Sequence, residues 1–219
     1  MIIVYLKLIK IIIIIMPYYK DANILFIHIP KTGGNSVERY LIRKYRQTLL
    51  FGTGKKLIKH EKYRNFSLQH QYYSTIKDNS DSLGVDFNDK LRIFTVVRNP
   101  YERILSDMFW QDYINLDTTP EEVYAILPKY YETSKDNHSA EQYKFLVDNN
   151  GKLPTNLTIM KTESLNKDMI NNGFINFDIH ENKNKKKLVS YDQYLNDNVI
   201  NSINQKYSKD FDLFGYIKK

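Results

Sequence analysis

The chain has 219 residues, 42% of them hydrophobic, enough to bury a substantial core within one domain. It contains no cysteine, which excludes a disulfide framework, a thiolate zinc site and thiol redox chemistry by the chain itself. A formal charge of +7 favours an anionic partner without choosing among nucleic acid, a membrane surface, a nucleotide and an acidic glycan, and much of the excess comes from scattered lysines.

Residues 1–16 are strongly apolar apart from Lys7 and Lys10. Their uninterrupted apolar core is shorter than the roughly 20 residues that span a bilayer, and no small-residue cleavage site follows it. Residues 1–20 therefore read as a short signal anchor, an interfacial helix or a strand packed on a domain at 21–219, or as sequence upstream of a start at Met16. Membrane-associated (Golgi-like or other endomembrane) and cytoplasmic locations both stay open.

Residues 23–29 form a continuous apolar run, the pattern of a central parallel strand covered on both faces. His28 on that run faces the core and reads as structural. Residues 35–46 follow with helical spacing that sends Val37, Tyr40, Leu41 and Tyr45 to the sheet and Glu38, Arg39, Arg43 and Lys44 outward. Residues 51–62 look like a loop, and a second buried strand is expected at 91–97. Pro100 suits the first turn of a helix running through Tyr113. Thr119-Pro-Glu-Glu122 is a capping-box pattern, residues 138–148 are expected to be helical, and a third strand falls at 157–161. A basic loop at 182–187, a helix at 191–206 and an aromatic ending complete an alternating α/β plan.

The junction between the first strand and the first helix, Ile24-Leu-Phe-Ile-His-Ile-Pro-Lys-Thr-Gly-Gly-Asn-Ser36, is where the chain builds an anion cradle. Glycines let the backbone turn, the next helix aims free N–H groups into the turn, and Lys31 adds charge. A nucleoside-triphosphate loop fits poorly, because its lysine follows the glycines whereas Lys31 precedes Gly33 and Gly34. The second strand also ends in Arg98, where a metal-holding aspartate would be expected in such an enzyme.

The segment Phe26-Ile-His-Ile-Pro-Lys-Thr-Gly-Gly-Asn-Ser36 resembles the 5′-phosphosulfate loop of sulfotransferases that use 3′-phosphoadenosine-5′-phosphosulfate (PAPS), especially their carbohydrate-acting, heparan-sulfate-type branch. Val96-Val-Arg-Asn-Pro-Tyr-Glu-Arg-Ile-Leu-Ser106 is similar to the family's 3′-phosphate motif. Weaker echoes follow at Met160-Lys-Thr-Glu-Ser-Leu-Asn-Lys-Asp168 and Tyr207-Ser-Lys-Asp-Phe-Asp-Leu-Phe-Gly-Tyr216. The resemblance implies a three-layer, P-loop-like α/β fold with a central parallel sheet flanked by helices. It implies that the amides of Thr32, Gly33, Gly34 and Asn35, with the side chains of Thr32 and Ser36, hold the 5′-phosphate and sulfate. Asn35 departs from the threonine usual there. Lys31 would bind the bridging oxygen, and Arg98 and Ser106 the 3′-phosphate. Arg103 would assist or lie on the helix exterior. Lys183 or Lys185 would touch a phosphate from the basic loop. No metal ligand is implied.

Sulfuryl transfer to a hydroxyl needs a base, and the chain has five histidines. His70, in Ser67-Leu-Gln-His-Gln-Tyr-Tyr-Ser74, lies between the two motifs where related enzymes carry their catalytic histidine; His60 is the alternative, and Glu61 or Asp78 would orient the base. The expected activity is in-line transfer from PAPS, without metal, to a carbohydrate hydroxyl, an anionic glycan included, and not to nucleic acid. The rival readings are a metal-dependent, kinase-like nucleotide enzyme and a relative that binds nucleotide or glycan without turnover.

Overall fold

A computed structural model describes residues 17–45, 67–178 and 190–219. At its centre is a four-stranded sheet in the order β1-β2-β3-β4, formed by Tyr18–Tyr19, Ile24–Ile27, Arg92–Val97 and Leu157–Lys161. β2, β3 and β4 are parallel, with Phe26 beside Phe94 and Thr95 beside Ile159. The sheet is mixed at one edge, because β1 folds back antiparallel on β2. Asn23, at φ 50, makes that reversal sterically tolerable, as a short amide side chain accepts the left-handed conformation.

Strand alternation divides the interior into two layers. Leu25, Ile27, Ile93 and Val97 pack against Leu68, Ile76, Leu83 and Phe145 on one face. Ile24, Phe26, Phe94, Val96 and Met160 pack against Val37, Tyr40, Leu41 and Met169 on the other. Eight helices belong to the described residues: α1 (Gly34–Lys44), α2 (Tyr73–Asp78), α3 (Ser80–Leu83), α4 (Pro100–Trp110), α5 (Pro120–Thr133), α6 (Leu165–Asn171), α7 (Asp197–Lys206) and α8 (Ser208–Phe214). The first face is covered by α2 and α3, the second by α1 and α6. A third core joins α4, α5, α7 and α8 through Ile104, Leu127, Ile203 and Phe211. Val37 and Leu41, with no exposed surface, each stabilise the layer by about 1.5–3 kcal/mol over an exposed side chain. No helix among the described residues is long and apolar enough to cross a membrane.

Local chemistry sets most boundaries. Asn99 caps α4 by accepting the Tyr101 amide at 3.0 Å, with Pro100 in the first turn. Thr119 and Glu122 exchange both bonds of the expected capping box at 2.8 and 3.3 Å. α7 starts later than its apolar spacing suggests, because Asn196 caps it by accepting the Val199 amide at 3.0 Å.

Residues 138–148 are not helical, contrary to expectation; they hold only one 3₁₀ turn, Gln142–Phe145. Their backbone groups are captured by distant side chains. The Asp210 carboxylate accepts the amides of Gln142 and Tyr143 at 2.7 and 2.9 Å. Arg103 donates to the carbonyl of His138 at 3.1 Å and to that of Ala140. Arg103 is therefore fully buried rather than on the helix exterior, and it is a structural clamp. Glu38 also departs from expectation, since its side chain is 14% exposed and turned inward. Residues 1–16, the loop at 51–62 with His60 and Glu61, and the segment containing His180, Lys183 and Lys185 lie outside the described residues.

Candidate active site

Where β2 ends, the backbone turns sharply at Lys31 (φ 66) and Gly33 (φ 87). Gly33 occupies the N-cap of α1 without any side chain capping the helix, so the N-terminal amides stay available to a ligand. Thr32 turns its hydroxyl inward, donating to the Ile29 carbonyl at 2.9 Å. Its side chain is committed to the loop itself, which leaves the amide as what Thr32 offers an anion. The Thr162 hydroxyl donates to the carbonyls of Thr32 and Val97 at 2.7 and 3.1 Å, tying the loop to the ends of β3 and β4. Asn35 is exposed on the first turn of α1 and Ser36 is buried behind it.

Gly34 has a specific steric reason. A Cβ there would lie 2.1 Å from His28 Nε2. Gly34→Ala should lower stability in urea unfolding by about 1–3 kcal/mol or more, because the buried ring cannot retreat without repacking. The other ring nitrogen of His28 donates to Glu38 Oε1 at 3.0 Å, and the Gln69 side chain donates to Glu38 Oε2. The cradle and the segment before His70 thus share one carboxylate.

His70 closes the 3₁₀ turn Leu68–His70. Its Nδ1 is 2.7 Å from Asp136 Oδ2, and since an ionised carboxylate only accepts, the imidazole donates there and keeps its Nε2 lone pair. Asp136 Oδ1 accepts the Ser67 amide at 2.6 Å, and Asn137 Nδ2 donates to the His70 carbonyl at 3.0 Å. Next to it, His138 Nδ1 donates to Asp107 Oδ1 at 2.6 Å, and Asp107 Oδ2 accepts from Tyr130 at 2.8 Å and Gln111 at 2.6 Å. His28, His70 and His138 form a row with ring centres 5.0 and 5.1 Å apart. Trp110 stacks on His138 at 5.0 Å, and Lys31 Nζ lies 5.3 Å from the indole centre. Asp136 and Asp107 escape a sequence reading because their histidine partners are 66 and 31 residues away, and His138, a surface or acceptor-side histidine on that reading, is buried. A faint signal exists in Asp136-Asn137, two residues that tolerate left-handed backbone directly before a histidine. Asp78, expected as an orienter, instead accepts from Asn149 at 2.9 Å.

Burial lowers the His70 pKa to about 4, and the neighbouring His28 and His138 rings add to that, while Asp136 opposes it. The ring is neutral at neutral pH. Burial acts to raise the Asp136 carboxyl, but the bonds from His70 and Ser67 outweigh it and hold the group below the usual carboxylate range. Lys31 is drawn below the ordinary lysine range, chiefly by burial, with Asp107 opposing and Arg98 reinforcing.

Arg98 stands at the end of β3, directly beside the loop. Its amide donates to Gln142 Oε1 and its carbonyl accepts from Gln142 Nε2, both at 2.9 Å. The guanidinium reaches the Lys31 carbonyl at 3.4 Å, pairs with Glu102 at 2.9 Å and lies 5.7 Å from the Tyr191 ring centre. Its Nε is buried without a hydrogen-bond partner among the described residues. Lys31 Nζ likewise has no ion-pair partner among them. Two cations with spare donors beside uncapped helix amides fit a doubly anionic ligand. Ser106, half-buried, lies two turns along α4 from Arg98. Glu163 accepts the Asn99 amide at 2.8 Å and the Tyr216 hydroxyl at 3.0 Å, while Asp168 accepts from Lys161 N and Ser164, so both acids fix loop geometry.

A mostly parallel sheet between helical layers, with an anion cradle at the carboxyl end of its strands, is a P-loop-like group-transfer architecture. The family model described as "Sulfotransferase family" matches residues 17–217, and the chain belongs to that family. No curated protein and no solved structure matches it.

Proposed function

We propose that the chain transfers the sulfuryl group of PAPS to a carbohydrate hydroxyl by in-line displacement. The observation that carries this reading is His28, whose ring touches Gly34 of the cradle and His70, so the donor loop and a neutral base share one end of the sheet. The amides of Thr32, Gly33, Gly34 and Asn35, with Ser36, hold the 5′ side of the donor. Arg98 and Ser106 hold the 3′-phosphate, and Lys183 or Lys185 of the basic loop adds charge toward a phosphate. As the acceptor oxygen bonds to sulfur, its proton passes to His70 Nε2, while Asp136 steadies the ring and the charge it gains. The bond from sulfur to the bridging oxygen breaks, and Lys31 stabilises the negative charge left on that oxygen. Adenosine 3′,5′-bisphosphate departs. The protein's own cations suffice for this step, so no metal is required. Trp110, 62% exposed beside His138, supports a sugar acceptor, since an indole face suits an apolar sugar surface.

Calorimetric titration without metal tests the reading. Adenosine 3′,5′-bisphosphate should bind at least about tenfold tighter than 5′-AMP or ATP, roughly 1.4 kcal/mol. Arg98→Ala should remove most of that preference and leave 5′-AMP affinity nearly unchanged. Equal affinities in the native chain, or magnesium-dependent preference for ATP, would overturn the proposal.

A further inference from the structure

We propose that His70, Asp136 and His138 form a site for a divalent cation of the zinc class, and that an ion bound there switches the transfer off. One donor atom from each residue lies within 4.8 Å of those from the other two. Two imidazoles and one carboxylate are a set that zinc and its neighbours accept, whereas magnesium and calcium demand oxygen shells. Bonds of about 2.0–2.2 Å place tetrahedral donors roughly 3.3–3.6 Å apart, so small side-chain rotations bring the three together.

The donors are held as metal ligands are held, by outer partners that fix their orientation. Asp107 takes the Nδ1 proton of His138 and is itself anchored by Tyr130 and Gln111. Arg103 fastens the His138 carbonyl, and the Ser67 amide holds Asp136. Asp136 and Asn137 sit at φ 54 and 64, a costly pair of conformations that brings a carboxylate and an imidazole to the same point. The Asp136 side chain is 27% exposed, against 12% for His70, which gives an ion its way in.

On uptake His70 changes tautomer: Nδ1 gives its lone pair to the ion, and the proton it had shared with Asp136 is taken up at Nε2 through solvent, so the ring stays neutral. His138 adds Nε2, and water completes the shell. His70 Nε2 then carries a proton and has no lone pair with which to take one from an acceptor. The effect on transfer rests on the function proposed above; the binding itself does not.

The full chain, metal-free and then given zinc alone, should take up one ion from micromolar solution in equilibrium dialysis. His138→Ala and Asp136→Asn should each weaken uptake by about tenfold or more. His60→Ala and His180→Ala should not change it. Cobalt substituted into the native chain should give the intense visible bands of four-coordinate geometry, a readout that survives if a variant fails to fold. No stoichiometric uptake, affinity indifferent to His138→Ala in a folded chain, or a six-coordinate cobalt spectrum overturns the site. Zinc held by these residues with transfer undiminished overturns the switch. A chain that never transfers sulfuryl overturns the proposed function while the dialysis result stands.

Discussion

His70→Ala should lower kcat for sulfuryl transfer by about 10²–10⁴-fold while leaving affinity for adenosine 3′,5′-bisphosphate within a small factor of the native value. The size follows from the role proposed for the imidazole, which is to take a proton from a hydroxyl that is a poor nucleophile until that proton leaves. The split between turnover and binding follows from position. Among the described residues His70 meets the cradle through intervening rings, His28 on one side and His138 with Trp110 on the other, so its removal leaves the loop amides, Lys31 and Arg98 in place. Single-turnover transfer from PAPS, with calorimetry on the same preparation, measures both quantities. A folded variant that retains kcat within about tenfold would remove His70 from the mechanism and turn attention to His60.

Lys31→Ala should cost about 10²–10³-fold in kcat, roughly 2.7–4 kcal/mol, the range seen when one donor to a developing oxyanion is deleted. The loss should fall on kcat rather than on donor affinity, because the bridging oxygen carries its full charge only as its bond to sulfur breaks. Lys31 is suited to this: burial has drawn its pKa down, and the Arg98 guanidinium is anchored on its carbonyl at 3.4 Å. Lys31→Arg should recover little, because a planar fork on a longer stem cannot reproduce a point charge at this turn. If both variants weaken donor binding as much as turnover, Lys31 binds the ground state and does not serve the transition state.

β2 and β3 were legible because burial on both faces leaves apolar runs, and each falls within the run expected for it; β4 also falls at its expected place although it is only partly buried, whereas the two-residue edge strand β1 carried no such signal. The start of α4 at Pro100 and the cap at Thr119 were legible because their signals act within three residues. Residues 138–148 were not, since the groups that deny them a helix, Arg103 and Asp210, come from α4 and α8. Glu38 misled for a related reason. Helical periodicity places it on a flank, and only the buried nitrogen of His28 and the amide of Gln69 turn it inward. In the site, the cradle and Arg98 were readable as contiguous motifs that end strands. The acids behind His70 and His138 were not, because each imidazole finds its carboxylate across a long loop of chain, and no local pattern encodes that meeting.

The chain contains a single tryptophan, and it stands against His138 with the Lys31 ammonium above its ring. Its emission is therefore a native optical probe of the Lys31 ammonium. Any ligand that draws the ammonium toward its own anion changes the electric field at the indole, so donor engagement can be followed in real time, without labels, by stopped-flow fluorescence on the unmodified chain.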